Sequence, residues 1–113
     1  MKPRIGIDLV ENKRFNHFLE EDRKLKRILS LDELAVLATF TSKERKLEYI
    51  ASRFAAKEAL VKAGLSFNFQ EVSILNNEDG SPFVSGFSDV EILISISHTK
   101  EYSTVFLMCY DKL

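Results

Sequence analysis

The chain has 113 residues, enough for one domain over residues 1–113, and a hydrophobic content of 45% is ordinary for a globular protein. Sixteen basic and seventeen acidic residues nearly cancel, so net charge gives no reason to expect attraction to nucleic acid or to a membrane. The apolar run near the N-terminus is too short for a signal peptide or a membrane span. The single cysteine, Cys109, cannot form an internal disulfide, and we expect a buried thiol in a cytoplasmic protein.

The first predicted element is a short strand, because Ile5, Ile7 and Leu9 alternate with Gly6 and Asp8. A glycine within a strand is typical of a close approach by another backbone or a ligand. Aspartate is depleted in strand interiors, which makes the Asp8 carboxylate a candidate functional group. The alternative is that Asp8 ends the strand and caps the next helix.

A helical, basic region follows the strand. From Glu11 to Leu29 the apolar residues recur at spacings of three and four, with a possible break near residues 21–22. The basic side chains of this region are Lys13, Arg14, His17, Arg23, Lys24, Lys26 and Arg27. Basic side chains on a helix usually form a solvated face, and the alternative is a docking surface for an acidic partner.

Two further helices are predicted from their capping residues. Ser30 and Glu33 have the spacing of a capping box, which predicts a helix that runs to Ala38. Thr41 or Ser42 can cap a longer helix that runs to Ala63, and the glycine after Ala63 suits a C-cap.

Four charged side chains stand out in the second half of this long helix, Ala51–Gly64. Arg53 and Lys57 are four residues apart, so they share a face and repel each other by about 0.2–0.5 kcal/mol. Glu58 lies in an otherwise apolar stripe, and a buried carboxylate needs a cation. Lys62, one turn later, is one candidate for that cation, and a metal ion is the other.

Strands dominate the C-terminal half. Residues 72–74 and 83–84 are predicted to form two strands joined by a turn over residues 76–81. Residues 91–97 alternate strictly between two faces, and residues 104–110 form a final apolar strand. The order of strand, helices and then strands indicates an α+β fold with a mainly antiparallel sheet.

Asp8 and Glu58 form a candidate metal pair. Two carboxylates without a cluster of cysteine or histidine suit Mg²⁺ rather than Zn²⁺. A Mg²⁺ ion held by two carboxylates normally completes its shell with water and substrate phosphate oxygens. A phosphate would also explain the basic residues Arg53, Lys57 and Lys62 on one helix. The alternative is a surface helix with a simple Glu58–Lys62 ion pair.

His98 ends the strand whose polar face carries Ser95 and Ser97. A serine–histidine nucleophile is not favoured, because neighbouring strand residues point to opposite faces. The functional hypothesis is phosphate binding by the imidazole and the hydroxyl groups, and the alternative is an ordinary polar residue near a turn. The segment Asp79-Gly80-Ser81-Pro82 is primarily a turn.

Three motifs lie in order along nearly the whole chain. They are Gly6-Ile7-Asp8-Leu9-Val10 followed by Arg14; Arg53-Phe54-Ala55-Ala56-Lys57-Glu58-Ala59 with Lys62-Ala63; and Ser95-Ile96-Ser97-His98 with Tyr102. Together they resemble the motifs of the holo-[acyl-carrier-protein] synthases, the small class of the 4′-phosphopantetheinyl transferases. The turn at residues 79–82 also resembles the Gly-x-Pro turn of that family.

The resemblance implies the fold of that family and a reaction. The phosphopantetheine arm of coenzyme A is moved to a serine of apo-acyl carrier protein, and adenosine 3′,5′-bisphosphate is released. Asp8 and Glu58 match the Mg²⁺ ligands of the family, and Lys57 and Lys62 match basic residues near the reacting phosphates. Glu58 and Lys62 are the candidate catalytic residues, with Glu58 accepting the serine proton through a water on the metal as a hypothesis.

The resemblance also implies a nucleotide site. Arg53 and His98, with Ser97 beside them, match positions that hold the phosphates of the adenosine portion. Gly80 and Pro82 match the turn that lies against adenine. One departure is the segment 64–67, which stands where many members have Gly-Thr-Gly, so we expect backbone contacts from that loop to differ.

Two partners and a pathway follow from the same resemblance. Arg14 matches a residue of the first helix that meets the acidic recognition helix of the carrier protein. The small class assembles as a homotrimer with a site at each subunit boundary, and its activity belongs to fatty acid biosynthesis.

Two alternatives remain open from the residues. One is a small α+β module that binds phosphate or RNA without catalysis, and the other is a family member that trimerises without activity. Glu58 within the basic cluster is an argument against the RNA-binding module, because a carboxylate repels phosphate unless a metal intervenes.

Overall fold

The structure, a computed structural model, describes residues 2–113 and has the predicted α+β fold. The first strand and the last two strands form a sheet against one long helix, and the shorter helices and a small hairpin lie around it. The elements are β1 (Arg4–Glu11), a 3₁₀ helix (Asn12–Phe18), α1 (Asp22–Ile28), α2 (Leu31–Leu37), α3 (Lys43–Lys62), a second 3₁₀ helix (Phe69–Glu71), β2 (Ser73–Asn76), β3 (Pro82–Ser85), β4 (Val90–His98) and β5 (Tyr102–Asp111).

The main sheet is antiparallel and has the strand order β1-β5-β4, whereas β2 and β3 form a separate hairpin. Strand β1 crosses α3 at Gly6. A Cβ atom at Gly6 would lie 1.9 Å from the carbonyl oxygen of Ala59, so any side chain there would push the sheet away from the helix. The expectation that Gly6 marks a close backbone approach is therefore confirmed.

Helix α3 has the predicted ends. The Ser42 hydroxyl accepts a hydrogen bond from the Arg45 backbone N–H at 3.2 Å, and Gly64 follows the helix with a φ of +91°. Its buried face carries the small residues Ala51, Ala55 and Ala59, which let the sheet pack closely. Among residues 2–113, no helix combines the length and hydrophobicity needed to cross a bilayer.

The N-terminal helical region differs in type from the prediction. The break near residues 21–22 is present, but the segment before it is a 3₁₀ helix and only α1 is an α-helix. The buried Asn12 side chain donates to the carbonyl oxygens of Thr99 and Lys100 and accepts from the Ser103 hydroxyl. These contacts attach the start of the 3₁₀ helix to the β4–β5 turn.

The capping box before α2 is confirmed. The Ser30 hydroxyl accepts from the Glu33 backbone N–H, and the Glu33 carboxylate accepts from the Ser30 backbone N–H. Cys109 is a free, fully buried thiol, as expected.

One face of the main sheet packs on α3, and the opposite face carries large exposed apolar side chains. We call this second surface the outer sheet face. Its members are exposed by between 47% and 63%, which is unusual for a strand pattern this apolar. They are Ile5, Ile7, Leu9, Leu93 and Phe106.

Candidate functional site

A cleft of about 470 Å³ lies between α3, the β2–β3 turn and the end of β4. We call it the Arg53 cleft. It brings together four residues that the sequence predicted for one site, Arg53, Gly80, Pro82 and His98, although they come from three distant parts of the chain.

Arg53 is held rigidly at the base of this cleft. Its Nε donates to the carbonyl oxygen of Ile74 at 3.1 Å, and its Nη atoms donate to Ser52 Oγ at 3.1 Å and Asn76 Oδ1 at 2.7 Å. The guanidinium lies 4.1 Å from the centre of the Tyr49 ring. Burial lowers the pKa of Arg53, but an arginine remains charged at neutral pH. A guanidinium has more N–H donors than these contacts use, so Arg53 can still bind an anion.

The β2–β3 turn is ordered by its own side chains. Asn76 Nδ2 donates to the carbonyl oxygen of Gly80 at 2.8 Å, and Gly80 has a φ of +91°, which favours glycine. Asp79 Oδ1 accepts from the Ser81 hydroxyl and backbone N–H, and these hydrogen bonds lower the pKa of Asp79. Because Asn76 also binds Arg53, the turn and the guanidinium are held in one arrangement.

His98 lies on the opposite side of the cleft, beside an acid that the sequence analysis did not select. His98 Nδ1 is 2.9 Å from Glu48 Oε2, and Arg45 Nη1 is 4.0 Å from Glu48 Oε1. The Glu48 side chain is only 14% exposed. The cleft therefore contains three basic groups and one carboxylate that contacts two of them.

Ser97 does not join His98 in the cleft. Ser97 pairs with Thr104 of β5, and Thr104 pairs with Leu9 of β1. Directly paired residues share a face of the sheet, so Ser97 lies on the outer sheet face while His98 faces the cleft. The predicted phosphate contact of Ser97 beside His98 is therefore wrong within a single chain.

Lys57 is also placed differently from the prediction. Its side chain is fully buried, and its Nζ donates to Glu33 Oε1 at 2.5 Å and to the carbonyl oxygen of Ile28 at 2.7 Å. Burial lowers the pKa of Lys57, and the Glu33 charge opposes that change. An enclosed ammonium with these partners cannot contact a phosphate, so the predicted cofactor contact of Lys57 is wrong.

A second polar cluster lies where α3 passes β1. Lys62 Nζ is 3.2 Å from Asp8 Oδ1 and 3.0 Å from the carbonyl oxygen of Ile7. Thr104 Oγ1 donates to the Asp8 carbonyl oxygen at 2.8 Å, which fixes this part of the strand. Glu58 lies one turn before Lys62 on α3 and is half-buried. The ammonium of Lys62 therefore pairs with Asp8 and not with Glu58.

The donor set of Asp8 and Glu58 fits a hard divalent cation. Both groups offer carboxylate oxygens, and the Lys62 ammonium beside Asp8 shows that positive charge is favourable there. Among residues 2–113, no group of three or more acidic, histidine or cysteine side chains converges as a metal cage. A cation bound here would need oxygen ligands from water or substrate.

Arg14 is exposed on the first 3₁₀ helix and is supported by aromatic rings. Its guanidinium carbon lies 5.7 Å from the centre of the Phe15 ring and 5.4 Å from that of Phe54. These cation–π contacts hold the arginine against α3.

A family model described as the 4′-phosphopantetheinyl transferase superfamily matches residues 4–107. The chain belongs to this superfamily. Among its relatives in the superfamily, a holo-[acyl-carrier-protein] synthase of Staphylococcus carnosus is 39% identical over 105 residues, which cover 88% of this chain and 89% of the relative. The holo-[acyl-carrier-protein] synthase of Halalkalibacterium halodurans is 43% identical over 104 residues, or 87% of each chain.

A crystal structure shows the same superfamily fold. The holo-(acyl-carrier-protein) synthase of Bacillus anthracis, in complex with CoA (3′,5′-ADP), has a TM-score of 0.86 and 30% sequence identity to this chain. The match covers 96% of both chains. The fold predicted from the three motifs is thus confirmed over almost the whole length.

Several residues that line the cleft of this transferase were not predicted from the sequence. Glu48 and Tyr49 precede Arg53 on α3 by five and four residues, and Ser52 is its immediate neighbour; all of them line the cleft. The helical spacing alone predicts that these residues are neighbours. It does not predict a binding site, because the position of His98 across the cleft is not known from the sequence. Asn76 is missed because the sequence marks it only as part of a turn.

Proposed function

We propose that this chain transfers the 4′-phosphopantetheine group of coenzyme A to a serine of apo-acyl carrier protein and releases adenosine 3′,5′-bisphosphate. Membership of the superfamily and the names of its relatives support this activity. The structural observation that supports the proposal is the Arg53 cleft. Its lining includes Arg53 and His98, which we assign to phosphate, and Gly80 and Pro82, which we assign to the base.

The proposed reaction is a displacement at the diphosphate of coenzyme A. The serine oxygen forms a bond to the phosphorus that carries the pantetheine group, and the bond from this phosphorus to the bridging oxygen breaks. The bridging oxygen leaves with the electron pair as part of adenosine 3′,5′-bisphosphate, and the serine proton passes to a base, for which Glu58 is the candidate. Lys62 stabilises the negative charge that develops, and Arg53 and His98 hold the nucleotide in position.

Asp8 and Glu58 are the proposed ligands of a Mg²⁺ ion. Their carboxylate oxygens suit this ion, and the Asp8 side chain already attracts the ammonium of Lys62. When bound, Mg²⁺ neutralises charge on the diphosphate. Lys62 is 55% exposed, so its long side chain can leave Asp8 and turn towards a phosphate.

The proposed protein partner is an acyl carrier protein that approaches the first 3₁₀ helix and α1. Arg14 is exposed there and is held by Phe15 and Phe54, which supports a contact with an acidic helix. The free buried thiol of Cys109 is compatible with the cytoplasm, where we propose the protein acts in fatty acid biosynthesis.

A homotrimer is the proposed assembly. The outer sheet face presents an apolar surface that a second copy of the same chain can cover, and closed symmetry would cover it on every subunit. A subunit boundary at this face would lie beside β1, the strand that carries Asp8.

The activity can be tested by incubating the protein with coenzyme A, Mg²⁺ and apo-acyl carrier protein and measuring the intact mass of the carrier protein. We expect the mass to rise by one phosphopantetheine group, and a carrier protein with alanine at the acceptor serine should show no gain. Asp8→Asn should lower turnover by about 10²-fold, because a ligand of the charge-neutralising ion loses its charge. An unchanged carrier mass, together with tight RNA binding, would instead support the non-catalytic module.

A further inference from the structure

Glu48 is an acid within a cleft that we propose to bind an anion. A carboxylate near a bound phosphate raises the free energy of the complex, because like charges repel. The same cleft contains the basic residues Arg45, Arg53 and His98. They would bind a phosphate better without Glu48 unless its carboxylate orients or holds them, and the contacts of Glu48 indicate such a role.

Both carboxylate oxygens of Glu48 face basic groups. Oε2 is 2.9 Å from Nδ1 of His98, and Oε1 is 4.0 Å from Nη1 of Arg45. The Glu48 side chain is 14% exposed, whereas that of His98 is 42% exposed and that of Arg45 is 53% exposed. The acid therefore lies behind the two basic groups and leaves them to face the ligand.

The contact with Glu48 determines which nitrogen of His98 is available. A carboxylate oxygen this close to Nδ1 is favourable only when Nδ1 carries a proton, because an unprotonated nitrogen would direct its lone pair at a negative charge. The ring is then fixed by one nitrogen and offers Nε2 to a ligand. Without Glu48 the exposed imidazole could rotate and exchange its tautomers.

We infer that Glu48 is a positioning residue, which acts through His98 to orient the imidazole towards the nucleotide of coenzyme A. The inference rests on the proposed function, because it assumes that the cleft receives adenosine 3′,5′-bisphosphate. It adds to that function a residue of α3 that touches neither the reacting phosphates nor the proposed metal ligands. Glu48 also draws Arg45 to the rim of the cleft by its second oxygen.

The test compares Glu48→Ala with Glu48→Gln, which keeps an oxygen that can accept a hydrogen bond from Nδ1. Glu44→Gln is the matched control, because it removes the same charge from an exposed site one turn earlier on α3. Three quantities are measured: the ¹⁵N spectrum of the neutral His98 ring, the calorimetric affinity for 3′,5′-ADP, and the kcat and KM for coenzyme A.

We expect Glu48→Ala to lose the Nδ1–H tautomer and to bind 3′,5′-ADP about ten-fold more weakly, since a charge-assisted contact is removed. KM for coenzyme A should rise while kcat changes little, because the interaction is present in both the bound substrate and the transition state. Glu48→Gln should restore most of the affinity, and Glu44→Gln should match the original protein. Adding Glu48→Ala to His98→Ala should cause little further loss, because Glu48 acts on the nucleotide through His98.

The inference is overturned if Glu48→Ala keeps the Nδ1–H tautomer, or if it binds 3′,5′-ADP as well as or better than the original protein. Failure of the proposed function gives a different pattern. In that case the original protein does not bind 3′,5′-ADP, while the tautomer of His98 still depends on Glu48.

Discussion

Tyr49 combines a buried ring with a hydroxyl group that has no partner at hydrogen-bonding distance and angle within residues 2–113, although the charge of the Arg53 guanidinium acts on it. Burial raises its pKa to about 12, so the hydroxyl stays neutral at physiological pH. The ring itself is well used, because it packs against Phe40 and supports the guanidinium of Arg53. The hydroxyl is thus a cost in free energy, whereas the ring stabilises the cleft.

Replacing only the hydroxyl should therefore stabilise the protein. We expect Tyr49→Phe to raise the free energy of unfolding by about 1 kcal/mol, since a buried unsatisfied group is removed and the ring is kept. Urea denaturation measures this change. Tyr102→Phe, at a tyrosine that is 44% exposed, is the control and should stay within about 0.5 kcal/mol of the original protein. A loss of stability in Tyr49→Phe would mean that the hydroxyl has a partner in solution.

At the scale of the elements, the buried pair of Glu33 and Lys57 joins α2 to α3. Glu33 also accepts a hydrogen bond from the backbone N–H of Ile74 in β2 at 2.8 Å, and the carbonyl oxygen of Ile74 accepts one from Arg53. The pair thus fixes the strand that leads into the turn of the Arg53 cleft. Lys57 does not line the cleft, and its role in this structure is to support the elements around it.

Glu33→Gln should destabilise the protein by about 3–5 kcal/mol, because it keeps the shape of the side chain but leaves the ammonium of Lys57 buried without a counter-charge. Asp32→Asn removes an exposed charge from the same helix and should change stability by less than about 0.5 kcal/mol. Thermal and urea denaturation measure both variants. If Glu33→Gln unfolds at the same urea concentration as the original protein, the pair contributes little, and a combined Glu33→Leu and Lys57→Met variant should then also be neutral.

The sequence predicted those features that depend on short spacings. The Ser30–Glu33 capping box and the close approach at Gly6 need only local geometry, and both were found where expected. The Glu33–Lys57 pair joins residues on two different helices, so no local sequence pattern predicts it. Their spacing also placed Arg53 and Lys57 on one face of the helix, but their surroundings differ. Arg53 lines the cleft, whereas Lys57 is enclosed.

The strand patterns show the same limit. Alternation correctly separated the two faces of β4, which put Ser97 and His98 on opposite sides. It could not say which face of β1 packs on α3, since that depends on the contact between Gly6 and Ala59. Ile5, Ile7 and Leu9 consequently face outwards, where a single chain leaves them uncovered, whereas Val10 is buried on the other face.

At the scale of the whole molecule, the outer sheet face is the strongest argument for assembly. Its central pair is Ile7 and Phe106, which are directly opposite each other in β1 and β5 and are 59% and 47% exposed. Burying a side chain of this size contributes about 1.5–3 kcal/mol, so covering the face in a closed assembly offsets much of the entropy lost on association. A charge placed at the centre of the face would have to be buried without a partner.

Ile7→Asp should therefore convert the proposed trimer into monomers, because an unpaired buried carboxylate costs several kcal/mol at each interface. Light scattering coupled to size-exclusion chromatography measures the mass, and circular dichroism checks that the monomer remains folded. Ser88→Asp, in an exposed loop away from this face, is the matched control and should keep the mass of the original protein. A monomeric original protein, or an Ile7→Asp variant of unchanged mass, would show that the outer sheet face is not the interface between copies. If monomers form and phosphopantetheine transfer is lost with them, the active site depends on a neighbouring subunit.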